Sequence, residues 1–421
     1  MAASTKSLDV AQHIRYWQRC FNSHLPSLYT PNDSTRLTFA SFIVSALELL
    51  SSPLSAEDRT SIQSWVLSLQ HPDGGFCGSP THMLPGQDAF KGSANLAATF
   101  FALLLLAIAA DSDAEARAAF ARVRRRKLLR WLRRLQRQDG SFGQVLWEGE
   151  AVGGRDMRHS YLASCIRWML RGGLDKDQDP AGHEDDIDVG RMVHHIRHTQ
   201  TYDGGVAEAS EHESHAGYAY CAIGALYMLD RPPSWDAPHK SSFISQTLAD
   251  KKGLVQFLVH RQFNYLAEQE SRDLDGDGEN FIETKLGDLG AGQGCTHVGW
   301  NGRWNKKADT CYSWWVAATL AMVDSCHAVN IPASRRYLLE MTQQKFGGFS
   351  KCAGGHPDLY HSYLGLAALA VMVDDDLKQL DVALCCSKET VRKVQLARDG
   401  LLDACRERED FGSDGFWESQ S

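Results

Sequence analysis

Asp309 and Cys311 stand two residues apart in the stretch "NKKADTCYSWW", behind Lys306 and Lys307 and ahead of an aromatic run. A carboxylate oxygen and a thiolate sulfur are both metal donors. Inside a helix two residues turn the chain by about 200°, so the pair cannot share a face there. On the turn that enters a helix they can converge. The plain alternative is that Asp309 caps a helix, Cys311 is a buried thiol and the distant His361 is a core histidine. Spacing alone favours that alternative, just as Arg303 and Lys306 alone read as a solvated surface turn.

The elements that must place these residues recur along the chain. "WVLSLQHPDGGFCGS" (65–79) returns as "WLRRLQRQDGSFGQ" (131–144), "HIRHTQTYDGGVAEA" (195–209) and "LEMTQQKFGGFSK" (339–351), with a degenerate copy "FLVHRQFNYLAEQ" at 257–269. The marker glutamines are Gln70, Gln136, Gln200, Gln262 and Gln344. Each phrase reads as an amphipathic helix, a Gln, then a Gly-rich turn whose glycines supply positive φ where the helix ends. A second helical stretch, rich in small and apolar residues, follows each phrase: 92–107, 156–170, 213–229, 309–323 and 358–372. Four of these five open on Asp or Glu, which suits a helix N-terminus. Apolar residues almost all round such a helix require burial on every side, and strand signal is slight.

An outer amphipathic helix paired with an inner buried one, repeated, closes into a double-layered ring. The fold class is therefore all-α, an α/α toroid. It forms one domain over residues 1–421, with an insertion at about 266–298 where a Gly-Gly turn should stand. The inner N-termini then point to one end and collect Arg158, His215, Arg303, Lys306, Asp309, Cys311, Tyr312, Asp358 and His361. A stacked solenoid is the competing arrangement; polar residues at the starts of otherwise buried helices favour a ring around a cavity.

Composition sets outer bounds. The chain has 421 residues, 43% hydrophobic and 23% charged, enough for a large core, and its formal net charge of -8 gives no global attraction to nucleic acid or anionic membrane. The N-terminal residues carry no apolar signal-peptide core. The longest apolar run, near residues 96–110, is short for a membrane span. Eleven Cys without framework spacing read as reduced thiols of a cytosolic protein.

In this order, "ESHAGYAYC", "GRWNKKADTCYSWW" and "HPDLYHSYLGL" resemble the β subunit of the protein prenyltransferases, along nearly the whole repeat region. The Gln–Gly-Gly phrase by itself is shared with triterpene cyclases. The resemblance implies an α/α toroid that works only with a helical-repeat α subunit. It implies zinc held by Asp309, Cys311 and His361, with a fourth position open for a substrate cysteine, the pattern of a catalytic site. It also implies that His215, Arg303, Lys306 and Tyr312 bind the diphosphate of an isoprenoid donor, whose charge grows as it leaves.

Further matches imply the branch. Farnesyltransferases carry Trp where this chain has Thr38, so a deeper lipid cavity and geranylgeranyl diphosphate are implied, with Phe42, Tyr218, Cys221 and Trp315 at other cavity-wall positions. Lys351, ten residues before His361, stands where the farnesyl branch has an Asp that binds magnesium. It resembles the type I geranylgeranyltransferase, which implies a catalytic role for Lys351 and no magnesium requirement. Arg158, Tyr161 and Tyr360 fall at peptide-facing positions, and Tyr161 and Tyr360 look more like the farnesyl branch. The implied activity is transfer of geranylgeranyl to the cysteine of C-terminal CaaX motifs of Rho/Rac-type small GTPases, in the cytoplasm, without nucleic acid or stable membrane insertion. The alternatives are a farnesyltransferase β subunit, a terpene cyclase, which lacks its Asp-rich runs here, and a non-catalytic helical scaffold.

Two further stretches carry rival readings. "DLDGDGENFIET" (273–284) matches early calcium-loop positions but ends on Thr284 instead of Glu, so it reads as an acidic insertion. "RVRRRKLLRWLRRLQR" (122–137) has Leu and Trp at helical spacing and reads as an outer helix with a cationic solvent face. The tail beyond Lys378 shows no chemical motif.

Overall fold

The computed structural model describes residues 6–83, 94–174, 176–265 and 295–410. Outer and inner helices alternate along the chain. The outer set is α1 (Val10–Asn22), α3 (Ala56–Ser68), α5 (Arg125–Arg134), α7 (Val189–Arg197), α9 (Lys251–Val259) and α11 (Ile331–Arg336), the last running into a π-helical turn, Tyr337–Thr342. The inner set is α2 (Arg36–Leu49), α4 (Leu96–Ile108), α6 (Met157–Arg171), α8 (Ala216–Leu229), α10 (Thr310–Met322) and α12 (Leu359–Val371). A final helix, α13 (Lys388–Asp410), follows them. Short strands edge the ring: Phe76–Cys77, Ala94–Asn95, Val145–Trp147 and Glu150–Val152 form one antiparallel sheet.

The two layers follow from composition. In α4, 11 of 13 residues are buried, so the helix is surrounded by protein. In α5, Leu128, Leu129, Trp131 and Leu132 face inward while Arg126 and Arg130 pair with Asp185 outside. The basic run is thus an outer helix, as its spacing predicts. Burying each large apolar side chain of the inner layer contributes about 1.5–3 kcal/mol.

Each inner helix packs on the next, α2 on α4, α4 on α6, α6 on α8, α8 on α10, α10 on α12, and α12 on α2 again. That last contact makes a closed ring and excludes the solenoid. Among the described residues the ring has six inner helices, one more than the five pairs that the repeats announce. The sixth pair is α1 with α2, joined through a 3-10 stretch, Ser27–Thr35, without a Gln–Gly-Gly turn.

The repeated glutamine has a mechanical role. Gln136, Gln200 and Gln262 each donate from the side-chain amide to one backbone carbonyl and accept from one backbone N–H at the cap of the next outer helix. Gln70 does the same at Arg122 and Arg124. In the last repeat Gln343, not Gln344, holds this position, bonding Ser7 O and Asp9 N. The stitch therefore joins the last repeat to the first helix. The insertion springs from a two-stranded ladder, Gln262–Asn264 with Val298–Trp300, and Tyr265 N–H bonds His297 O at 2.9 Å. The calcium-loop look-alike lies outside the described residues. No described helix is long and apolar enough to cross a membrane.

Residues beyond Lys378, silent in the sequence, close the ring at the inner-helix C-terminal end. Lys378 N–H bonds Leu49 O at 3.0 Å, strands Leu380–Asp381 and Cys386–Ser387 pair, and Arg398 bonds carbonyls of Trp168 and Pro233.

Candidate active site

Asp309 is the N-cap of α10, its Oδ1 accepting from Cys311 N–H at 2.9 Å. Cys311 is the second helical residue, so the pair does converge on an entering turn. Asp358 caps α12 in the same way, from His361 N–H at 2.9 Å. Because α10 and α12 are neighbours with parallel starts, His361 Nε2 comes within 3.2 Å of Asp309 Oδ1. The donor atoms of Asp309, Cys311 and His361 all lie within 4.8 Å of one another. The two readings are compatible: Asp309 caps its helix and still offers a carboxylate oxygen to the cluster.

Electrostatics support a cation here. Burial, then the Asp309 charge, push the Cys311 thiol well up, so it ionises only beside a positive centre. Burial discourages charge on His361, yet hydrogen bonds to Asp309 and Asp358 outweigh it and carry the imidazole up to about 9. Its Nδ1–H donates to Asp358 at 2.6 Å, which aims Nε2 at the cluster, as orienting carboxylates do for ligating histidines. An N, O and S donor each, converging from buried helix starts and backed by an orienting carboxylate, fit a zinc ion with one open position.

Beside the cluster lies a set of donors. His215 caps α8, its Nδ1 accepting from Gly217 N–H at 3.0 Å, so its proton sits on Nε2. That nitrogen lies 2.8 Å from Tyr312 Oη and donates to it, leaving the Tyr312 hydroxyl free to donate onward. Burial and the Arg303 charge hold His215 down to about 4, hence neutral at physiological pH. Gly302 permits the approach, since a Cβ there would stand 2.3 Å from the Tyr312 ring. Arg303 is half-buried and paired with Glu213 at 2.6 Å, and Lys306 is exposed. Lys351 Nζ stands 3.8 Å from Asp309 Oδ2, and its carbonyl accepts from Thr310 N–H.

The lumen below is ringed by aromatics from all six inner helices. Phe42 meets Phe101 at 5.6 Å, Phe100 meets Tyr161 at 6.0 Å, Tyr161 meets Tyr220 at 5.3 Å and Tyr220 meets Trp315 at 4.9 Å. Trp315 Nε1 donates to Tyr360 Oη at 3.0 Å, and Tyr360 lies 6.2 Å from Phe42, which closes the circle. Of the residues singled out in the sequence, Phe42, Trp315, Tyr161 and Tyr360 belong to it. Tyr218 is half-buried beside His215 at 5.1 Å, and Cys221 is buried. Tyr161 is buried, its hydroxyl on Ala383 O at 2.7 Å. Arg158 extends into solvent and pairs with Asp156. Thr38 lies on the first turn of α2, at the level of the metal cluster rather than deep in the ring. In a ring of six, α2 faces α8 across the lumen, about 16–20 Å axis to axis for ordinary helix packing.

Tyr220, Phe100, Phe101 and Tyr363 were missed. A signal existed: "LAATF", "MRHSY", "AGYAY", "TCYSW" and "LYHSY" open five inner helices, each with an aromatic in fifth place.

This is a double-layered α/α toroid with a metal-type cluster and anion donors at the mouth of an aromatic lumen. The model of the prenyltransferase alpha-alpha toroid domain matches residues 8–386. The chain is 29% identical over 393 residues to the geranylgeranyl transferase type-1 subunit beta of Arabidopsis thaliana, covering 90% of this chain and 89% of that one. It is 27% identical over 381 residues to the protein farnesyltransferase subunit beta of Schizosaccharomyces pombe, covering 87% and 79%. The solved Candida albicans protein geranylgeranyltransferase-I, complexed with GGPP, shares the fold at a TM-score of 0.72 and 24% identity, over 94% of this chain and 99% of that chain. The chain belongs to the prenyltransferase α/α-toroid family, as a protein prenyltransferase of the β-subunit type.

Proposed function

We propose that the chain is the catalytic β subunit of a zinc-dependent protein geranylgeranyltransferase type I, acting in the cytoplasm with an α subunit on CaaX-terminated small GTPases. The observation that carries this is the Asp309–Cys311–His361 cluster set beside the His215–Tyr312 pair above the aromatic lumen. Asp309, Cys311 and His361 would hold zinc, which when bound supplies a nucleophilic substrate thiolate at neutral pH. The aromatic wall takes the isoprenoid tail by apolar burial. Tyr312 Oη–H, oriented by His215, donates to the departing diphosphate, and Arg303 and Lys306 add positive charge there. Such donors act most on charge that develops in the transition state. Lys351 places a cation between cluster and diphosphate, which removes the need for magnesium. Thr38 supports the longer lipid, and the likeness to the Arabidopsis type-1 β subunit supports the same branch. A second polypeptide is needed to wall the open mouth, where Lys306, Lys351 and the Arg158 guanidinium face solvent.

The test is co-expression with a prenyltransferase α subunit, zinc analysis, and assay with both isoprenoid diphosphates on a CaaX peptide ending in Leu, with and without magnesium. Geranylgeranyl transfer that hardly responds to magnesium supports the reading. Strong magnesium dependence with farnesyl preference moves the chain to the farnesyl branch. A metal-free, inactive complex leaves a scaffold.

A further inference from the structure

The turn 301–306, which carries Arg303 and Lys306, is built over Arg261. That residue stands just past α9 and extends the ladder of Gln262–Asn264 with Val298–Trp300, its carbonyl accepting from Asn301 N–H at 3.1 Å. Asn301 Nδ2 in turn donates to Lys306 O at 2.9 Å, which clips the two ends of the turn together. Gly302 O accepts from Ala216 N–H at 2.9 Å and so ties the turn to the first residue of α8, beside His215. Asn305 takes a φ of 56°, the left-handed conformation in which the chain reverses inside these ties.

The Arg261 side chain is fully buried. Among the described residues its Nη1 and Nη2 have no hydrogen-bond partner, and only Nε is bonded, to Phe257 O at 3.3 Å. Burial draws its pKa down to about 10, with the Asp203 charge opposing. What meets the guanidinium instead is two aromatic faces: its Cζ lies 4.1 Å from the ring centre of Trp304 and 4.8 Å from that of Phe257. A desolvated cation over an indole is held by the ring quadrupole, and Trp is the ring that holds it best. Trp304 is 49% exposed and stands between Arg303 and the reversal at Asn305, so its stack on Arg261 pins the middle of the turn from below. The pair of Arg303 with Glu213, at 2.6 Å, is open to solvent and contributes little rigidity of its own.

We propose that Arg261 and Trp304 are positioning residues: their stack holds the 301–306 turn so that Arg303 and Lys306 meet the diphosphate of the isoprenoid donor. This rests on the reading of those two cations as diphosphate partners. The test uses the heterodimer with its α subunit. Equilibrium binding is measured for the preferred isoprenoid diphosphate and for the isoprenol of the same chain length, which lacks the diphosphate. Trp304→Ala should weaken the diphosphate about threefold or more and leave the isoprenol unchanged, and Trp304→Phe, which keeps a ring over Arg261, should recover most of the loss. In the background Arg303→Ala/Lys306→Ala the same Trp304→Ala change should cost less than in wild type, because residues that act through one another are not additive. Unchanged diphosphate affinity in Trp304→Ala, an equal loss for the isoprenol, or a loss of the same size in both backgrounds overturns the proposal. Should Trp304→Ala not fold, Trp304→Leu, which keeps the bulk without the aromatic face, decides on the same terms. An Arg303→Ala/Lys306→Ala heterodimer with wild-type affinity for the diphosphate overturns the diphosphate reading of that turn instead.

Discussion

His361 is gripped between two carboxylates, and only one of them is a ligand candidate. Asp358 touches the imidazole Nδ1, so it should act on metal affinity without donating to the ion. Asp358→Asn keeps the cap on α12 but weakens the orienting bond; a 10–100-fold loss of zinc affinity, about the usual effect of removing such a partner, is expected in chelator competition. Cys311→Ala should lose the metal outright while circular dichroism stays unchanged, and full zinc retention would overturn the ligand assignment. Thr38 offers a different kind of test. An indole placed on the first turn of α2 overpacks the space facing α8, at a cost of about 1–3 kcal/mol to the longer lipid. Thr38→Trp should shift preference toward farnesyl diphosphate by about five- to 150-fold in paired kcat/KM measurements.

Among the elements, α1 closes the outer layer against the last repeat, and its seam is sensitive to acid. His13 Nδ1 accepts from Gly348 N–H at 3.2 Å, its Nε2 lies 3.1 Å from Gln343 Oε1, and the side chain is fully buried. Burial holds its pKa down to about 4 from the ordinary 6.5, against the opposing pull of Gln343 and Asp9. Between those values the unfolded chain binds a proton that the folded chain refuses, so stability falls as pH drops through this window. The full contribution is about 3 kcal/mol, present above pH 6.5 and lost toward pH 4. The fall in Tm between pH 7 and 4.5 should be smaller in His13→Gln than in wild type. Equal falls would show that the seam does not titrate.

For the whole molecule, the insertion is a test of where the ring ends. Its two flanks are joined by the Gln262–Asn264 ladder with Val298–Trp300, and Gln262 stitches to Ala328 and Asn330 from the same ladder. Those contacts join the two flanks to each other directly. Replacing residues 268–293 by a short Gly/Ser linker should leave Tm and lipid affinity unchanged, since the length of a connection whose flanks are already joined matters by only about 0.6 kcal/mol per doubling. A Tm drop of several degrees would mean that the segment packs on the ring. Closure also explains the tail: the described ring leaves an open lumen, and residues 380–387 with α13 fill its far end.

The two helix periodicities, the Gln–Gly-Gly phrase and the polar residues at buried helix starts were legible in the sequence because they are local. They determined an all-α pairing of outer and inner helices, favoured a ring over a solenoid, and placed Asp309, Cys311, His215 and Tyr312 at one end. Asp309 and Cys311 could be paired from the sequence because both sit on one turn. The repeat set His361 at the same end, but its part in the cluster came only with the family resemblance, since nothing local ties a residue 50 positions away to that turn. Tertiary structure alone decided the rest. The sixth helix pair lacks the repeated turn, and only the contact of α12 with α2 shows that it belongs to the ring. The stitch at Gln343, by contrast, was legible: Gln343 stands four residues before Gly347, as Gln70, Gln136 and Gln200 stand before Gly74, Gly140 and Gly204, whereas Gln344 does not. The segment 380–387 has no motif at all: its place depends on backbone carbonyls, which every sequence carries, meeting three phenols that only the closed ring brings together.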